Sequence, residues 1–324
     1  MGTFGTQRLY GRRSRSAARE AVRQISLLQQ RWSVFHPSSE IHAIAEAAGD
    51  HPADIHPDTL RLLQRALELG KLSCGCFDIT SGAVNRLWRA AVENGAPPQP
   101  AQIAERVQLV NWKELRLDPE SPSAYLPRAG QQLDLGGIGK GFAADRARDI
   151  YLRFGIRHGF INLGGNVLTL GGKPNGAAWK VGIRAPASVP CMDQSRGGRG
   201  PALMGHVEVR DTAVVTSGNY EHCFEHEGRR YHHIIDPRTG YPADTDAVSV
   251  TITAPSATDA DALATAVLVM GSSGGIDLIN SLPGAEGVLI SPDGSLHLSR
   301  GMGKLLKTSG RAGIAARESA EAAP

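Results

Sequence analysis

Asp134-Leu135-Gly136-Gly137-Ile138-Gly139-Lys140-Gly141-Phe142-Ala143-Ala144-Asp145 joins the end of a strand-like piece, four glycines around one lysine, and the start of a helix-like pattern. Glycine lets backbone amides approach a ligand closely, and a helix start offers unpaired N–H groups to an anion. One cation inside such a loop suits a phosphate. Two familiar labels fail. A Walker A loop needs Ser or Thr after its lysine and a glycine at its head, but Gly141 follows Lys140 and Asp134 stands at the head. The dinucleotide fingerprint G-x-G-x-x-G is also missing, because Gly137, Gly139 and Gly141 give G-x-G-x-G. The residues leave two readings open: a phosphate loop of neither common kind, or a tight glycine turn between strand and helix.

Upstream of this loop, residues 16–33 carry Ala18, Val22, Ile25, Leu28 and Trp32 at helical spacing. Phe35 and His36 open a polar loop whose Ser38-Ser39-Glu40 reads as a helix start, and 57–72 forms a second amphipathic helix begun by Pro57 and Asp58. Residues 75–80 make a turn with Phe77 beside Asp78, and strand-like pieces are expected at 107–110, 115–117 and 132–135. Downstream, a helix is expected over 142–154, then a strand from 160 into the turn Gly164-Gly165-Asn166, and strands near 179–184, 205–209, 213–216, 248–253 and 287–290. Residues 190–201 read as a flexible insert. The helix over 260–270 is almost entirely small and apolar, which implies deep burial. Strands and helices mix without strict β-α-β alternation, so the fold class is α+β, with mixed or antiparallel sheets and packed helices. One domain is expected over 1–300, in one mass or two intimate lobes, with 301–324 as a disordered tail.

The composition is that of an ordinary globular chain: 324 residues, 41% hydrophobic and 21% charged. A formal net charge of +3 is too small to argue for nucleic acid, and no Lys/Arg stripe interleaves with aromatic residues. The local excess at Arg8, Arg12, Arg13, Arg15, Arg19 and Arg23 reads as a solvated helix face. No apolar stretch follows Arg12-Arg13-Ser14, and no run of about 18 apolar residues suggests a membrane span. As written the chain is expected to be cytoplasmic, an exported form requiring a leader upstream of Met1. Cys74, Cys76, Cys191 and Cys223 lack zinc-like spacing and read as packing residues or idle thiols.

Two clusters in the second half carry chemistry. Tyr231-His232-His233-Ile234-Ile235-Asp236-Pro237-Arg238-Thr239-Gly240 ends in a Pro-started, Gly-closed turn. On a strand, His233 and Ile235 would face one side and His232, Ile234 and Asp236 the other. A histidine pair there serves as hydrogen-bonded scaffold or as an acid or base at neutral pH. In the helix Asp259-Ala260-Asp261-Ala262-Leu263-Ala264-Thr265, Asp261 and Thr265 lie one above the other, a carboxylate and a hydroxyl suited to Mg²⁺. The plainer reading has Asp259 capping the helix and Asp261 sitting well with its dipole. That reading leaves a polar pair on a buried-looking helix unexplained.

Taken in order, the 134–141 loop, Asn162-Leu163-Gly164-Gly165-Asn166, Thr216-Ser217-Gly218-Asn219-Tyr220, the 232–240 segment and Ala260-Asp261-Ala262-Leu263-Ala264-Thr265 resemble the FAD:protein FMN transferase (ApbE) family, over most of the chain. The resemblance implies a two-lobed architecture with a flavin site between the lobes. It implies an enzyme that splits the pyrophosphate of FAD with Mg²⁺ and moves FMN onto a threonine hydroxyl of an acceptor flavoprotein, releasing AMP. Positions matching the family's flavin contacts are Met1, Phe35, Cys76, Phe77, Asp78, Asp134, Lys140 and Ile235; those matching its metal site are Gly137 (backbone carbonyl), Asp261 and Thr265. Phe35 and Phe77 would flank the isoalloxazine, and Lys140 would offset pyrophosphate charge. His233 and Asp236 are the candidates for proton handling. The alternatives are an FAD pyrophosphatase, with water in place of threonine, and a flavin-binding module without chemistry.

Overall fold

The computed structural model describes residues 3–186, 203–220 and 223–308, and the backbone of 316–318. The chain runs β1 (Gly5–Tyr10), α1 (Ser14–Trp32), α2 (Glu40–Glu46), β2 (Ala53–Asp54), α3 (Pro57–Leu72), α4 (Gly82–Asn94), α5 (Pro100–Val107), β3 (Arg116–Asp118) and β4 (Ser123–Tyr125). The glycine loop then opens α6 (Gly139–Arg153), followed by β5 (His158–Leu163), β6 (Asn166–Leu170), β7 (Trp179–Arg184), β8 (Leu203–Val209), β9 (Ala213–Gly218), β10 (Cys223–His226) and β11 (Arg229–His232). The last part comprises β12 (Ser249–Ala254), α7 (Ala257–Ser281), β13 (Glu286–Ile290), β14 (Leu296–Leu298), α8 (Met302–Leu305), β15 (Leu306–Thr308) and β16 (Ala316–Glu318).

An eight-stranded sheet in the order β1-β5-β6-β9-β12-β13-β14-β16 organises the described residues, antiparallel except where β16 joins β14. Strand alternation sends its side chains to two cores. Val215 on β9 and Leu289 on β13 join the cluster beneath α1, α3, α6 and α7, whereas Val214, Val288 and Ile290 join a second cluster with Trp179, Ile183, Val207 and Val209. The second cluster lies under a three-stranded sheet, β15-β8-β7. Helices, large sheet and small sheet therefore form three layers. Covered on both faces, β12 is buried at every residue, and its Thr251 hydroxyl finds a partner in Thr216 at 2.8 Å. A third, smaller cluster forms where α4 and α5 meet Ile235.

Local signals explain where the helices start. Ser39 Oγ accepts the His42 N–H at 3.1 Å ahead of α2, and Pro57 opens α3. Ser256, not Asp259, caps α7: its Oγ accepts the Asp259 N–H at 3.2 Å, while Asp259 turns outward to pair with Arg65 at 2.7 Å. α6 supplies a second clasp, since Asp145 accepts the Ala257 and Thr258 N–H groups at 3.1 and 2.9 Å. α7 is long and apolar enough to cross a bilayer by length and composition, but 61% of its apolar stretch is buried in the protein. It packs on α6, β9, β12 and β13, and breaks at Gly271, whose φ of 78° is left-handed.

Four expectations need correcting. The strand expected at 132–135 is reduced to an isolated bridge between Gln132 and Ser81. Residues 107–110 are no strand but the end of α5 and the turn after it, because Pro100 and the Gln102 side chain, which accepts the Gln99 N–H at 3.1 Å, start a helix just upstream. The tail expected from 301 is ordered at its start: Met302 and Leu306 are buried against the small sheet, and β15 pairs with β8. The alternation expected beyond His232 fails, because β11 ends there; His232, Ile234, Ile235 and Asp236 are all buried while His233 is exposed. The insert expected at 190–201 falls outside the described residues.

Candidate functional site

None of the four glycines at 136, 137, 139 and 141 has a positive φ. Gly137 and Gly141 serve close approach instead. A methyl group on Gly141 would sit 2.1 Å from the Ala257 carbonyl oxygen, so only glycine lets α6 enter beside the start of α7. That approach brings the Gly141 N–H to Asp261 Oδ2 at 2.9 Å. One of the helix-start amides expected to face an anion is thus taken by a carboxylate of the protein itself. The 3% exposed Asp261 also receives the Lys140 ammonium, Nζ lying 3.4 Å from Oδ1, and Lys140 donates to the Gly136 carbonyl at 2.8 Å.

Thr265, one turn further along α7, lies against Gly137. A methyl on Gly137 would be 3.2 Å from both Thr265 Oγ1 and Phe77 Cε2. The Thr265 hydroxyl makes long contacts, 3.4 Å to the Asp261 carbonyl and 3.4 Å to Ser217 Oγ. Asp261, Thr265, the Gly137 backbone, Lys140 and Phe77 are thereby brought together from the glycine loop, α7 and the turn after α3. The expected metal donors are all oxygens, a carboxylate, a hydroxyl and a carbonyl, and such a set fits a hard divalent cation such as Mg²⁺. The loosely bonded Thr265 hydroxyl is consistent with that fit.

Asp134 anchors the other end of the loop. Its Oδ1 accepts the Gly136 N–H at 2.8 Å, and its Oδ2 accepts from Asn85 and Arg89 at 2.9 Å each. Burial opposes its charge, yet Arg89, Asn85 and the Gly136 amide together outweigh burial and hold the carboxyl below its usual range. Asp78 serves a neighbouring turn: Oδ1 accepts the Thr80 N–H and hydroxyl at 2.8 and 2.6 Å, and Oδ2 the Trp112 N–H at 2.9 Å. Burial nonetheless leaves its pKa above the ordinary carboxyl value. Phe77 and Cys76 are buried, and burial raises the Cys76 thiol pKa. Phe35 is the opposite case, 80% exposed, with the Arg89 guanidinium carbon 5.6 Å from its ring centroid. Met1 lies outside the described residues.

In the 232–240 segment the two histidines divide. His232 Nε2 lies 3.0 Å from the Ala243 carbonyl and Nδ1 accepts the Ile234 N–H at 3.3 Å, which fixes a neutral ring protonated on Nε2. Burial, partly offset by that carbonyl, lowers its pKa to about 4. His232 is scaffold, and His233 is the exposed imidazole of the pair. Asp236 binds Arg238 through both oxygens, with its Oδ1 also accepting the Arg238 N–H at 2.9 Å. Ile235 packs with Val84, Trp88, Ala91 and Ile103. Residues that sequence reading passed over are Asn85 and Arg89, on a helix it did not recognise, and Ser217, quoted in a motif but given no role.

A family model described as the ApbE family matches residues 1–289. The chain belongs to the ApbE family. Membership places it among transferases, as the resemblance implied. The FAD:protein FMN transferase of Treponema pallidum is 37% identical over 319 residues, covering 93% of this chain and 85% of that protein. That of Klebsiella pneumoniae is 32% identical over 267 residues, covering 82% and 79%. Among solved structures, the ApbE protein of Thermotoga maritima superposes with a TM-score of 0.83 at 30% identity, covering 94% of this chain and 96% of that one. The flavin transferase ApbE of Vibrio cholerae does so with a TM-score of 0.81 at 25% identity, covering 94% and 96%. These neighbours bear out the α+β class, and the ApbE loop 134–141 sits at the meeting of α6 and α7.

Proposed function

We propose that this ApbE-family chain transfers FMN from FAD to a threonine hydroxyl of an acceptor flavoprotein and releases AMP, with Mg²⁺ at Asp261, Thr265 and the Gly137 carbonyl. The observation that carries the reading is that Asp261 lies against the Lys140 ammonium while Thr265, one turn further along α7, and Phe77 both lie against Gly137. The named activity of the relatives supports it. Bound there, Mg²⁺ would neutralise phosphate charge as it moves to the leaving AMP.

The protein's own residues do the rest. Phe77 from the core side and Phe35 from the rim offer aromatic surface to the isoalloxazine. Lys140 offsets pyrophosphate charge, and its contacts with the Gly136 carbonyl and Asp261 hold it at the mouth of the loop. His232 is committed to the Ala243 carbonyl, and the exposed His233 is assigned to take the threonine proton. The threonine oxygen forms a bond to the FMN phosphorus, the bond from that phosphorus to the AMP oxygen breaks, and AMP leaves with the electron pair. Asp236, with both oxygens on Arg238, shapes the turn after His233.

The test incubates the chain with FAD and Mg²⁺, with and without an acceptor domain bearing a threonine, and reads adduct mass and AMP. An FMN-sized adduct that disappears with EDTA or in Asp261→Asn supports the reading. AMP and free FMN without adduct would show hydrolysis instead. FAD left intact under every condition would reduce the chain to a flavin-binding module.

A further inference from the structure

α4 holds none of the expected flavin or metal residues, yet two of its side chains reach the glycine loop. Asn85 and Arg89 stand four residues apart on one helical face and both donate to Asp134 Oδ2. The other oxygen of Asp134 accepts the Gly136 N–H, so the carboxylate joins α4 to the backbone that leads into Gly137 and Lys140. Arg89 does a second thing: its guanidinium lies against the Phe35 ring. That ring belongs to the loop between α1 and α2, far from α4 in sequence, and is 80% exposed. A ring left in water adds little to the core, so the contact with Arg89 is poorly explained as packing. A planar cation, paired on one side with a largely buried carboxylate and lying 5.6 Å from the centroid of an exposed aromatic ring, is an arrangement that holds the ring still for something else.

We propose that Arg89 is a positioning residue for FAD. One side of its guanidinium locks the Asp134 end of the phosphate loop, and the other holds Phe35 in the orientation that meets the planar flavin ring. The inference rests on the flavin reading above. Pre-ordering one aromatic side chain and its loop before binding is worth a factor of about 2–5 in affinity, the scale of one exposed cation–π contact or one immobilised side chain. The effect belongs in the binding of FAD and not in the chemical step, because neither Arg89 nor Phe35 reaches the Asp261 and Thr265 donors.

The experiment uses the full chain and four forms: unaltered, Arg89→Lys, Phe35→Leu and the double variant. Arg89→Lys keeps a cation for Asp134 and removes the planar guanidinium, which avoids stranding a buried carboxylate; Phe35→Leu changes an exposed position that the core does not need. Quenching of FAD fluorescence gives affinity, and AMP release with an acceptor domain gives KM for FAD and kcat. Each single variant is expected to weaken FAD binding by about 2–5-fold with kcat unchanged, and the double variant is expected to bind no more weakly than Phe35→Leu alone. Losses that multiply in the double variant, a fall in kcat in place of a rise in KM, or an Arg89→Lys form that binds as well as the unaltered chain would each overturn the inference while leaving the flavin reading intact. An unaltered chain that does not quench FAD would overturn both.

Discussion

Gly141 and Gly139 stand two residues apart at the start of α6, and the structure assigns them opposite responses to the same substitution. Both have ordinary φ, so alanine is compatible with the backbone at each, and helix propensity favours it by up to about 1 kcal/mol. At Gly139 the nearest atoms to an added methyl are Trp32 Cε3 at 3.7 Å and Leu135 Cβ at 3.9 Å, which is ordinary contact. At Gly141 the methyl would meet the Ala257 carbonyl oxygen at 2.1 Å, the Ala257 carbonyl carbon at 2.6 Å and Thr258 Cα at 2.8 Å. These are backbone atoms held by Asp145, and they must retreat by about 1 Å to reach ordinary contact. Overpacking of this kind costs about 1–3 kcal/mol. The same retreat stretches the buried Gly141 N–H bond to Asp261, a charge-assisted bond worth about 1.5–3 kcal/mol. Set against propensity, Gly141→Ala is expected to lose about 1.5–5 kcal/mol. Gly139→Ala is expected to be neutral or to gain up to about 1 kcal/mol. Urea unfolding of both variants, with the slope of each transition checked against the unaltered chain, measures the difference. Equal midpoints for the two, or a Gly141→Ala form as stable as the original, would refute the claim that this glycine exists to let α6 and α7 touch.

Two further expectations follow from buried polar groups. His232 has its pKa lowered from 6.5 to about 4, so below pH 6.5 the unfolded chain takes up a proton that the folded chain refuses. Its contribution is complete above pH 6.5 and is lost as pH falls toward 4, in all about 3 kcal/mol. His232→Gln, which keeps a donor for Ala243, should flatten that acid limb in a pH series of unfolding midpoints, and an unchanged limb would contradict the neutral-scaffold assignment. Trp88 is 2% exposed and donates its indole N–H to the Gly240 carbonyl at 2.8 Å. Trp88→Phe leaves that carbonyl unpaired and should cost about 1–3 kcal/mol in the same assay; no loss would mean that the 236–240 turn does not depend on α4.

Much of the chain was readable because its signals are local. The apolar spacing and Pro57 of α3, the Ser39 cap of α2 and the alternation in β7 act within a few residues, and the structure keeps them. α4 passed unrecognised because its glycine start has no side-chain cap and its helical pattern follows directly on the 75–80 turn. β1 and β6 pair with β5, and for β1 that partner lies about 150 residues away in the chain. For the site, the i and i+4 spacing of Asp261 and Thr265 by itself puts both on one face of a helix. The four glycines likewise announced a close approach to something. What Gly141 approaches, the first residues of α7, lies more than a hundred positions away and has no local signature.

The residue types and their order thus sufficed for the family and the α+β class, and they put Asp261 and Thr265 on one face of a helix, since motifs carry their spacing with them. Tertiary packing alone decided that His232 is neutral scaffold, that a carboxylate of the protein takes one of the loop amides, and that Arg89 links Asp134 to Phe35. Each of those outcomes depends on which groups are buried together and which partner satisfies them, and desolvation acts on neighbours in space, not on neighbours in the chain.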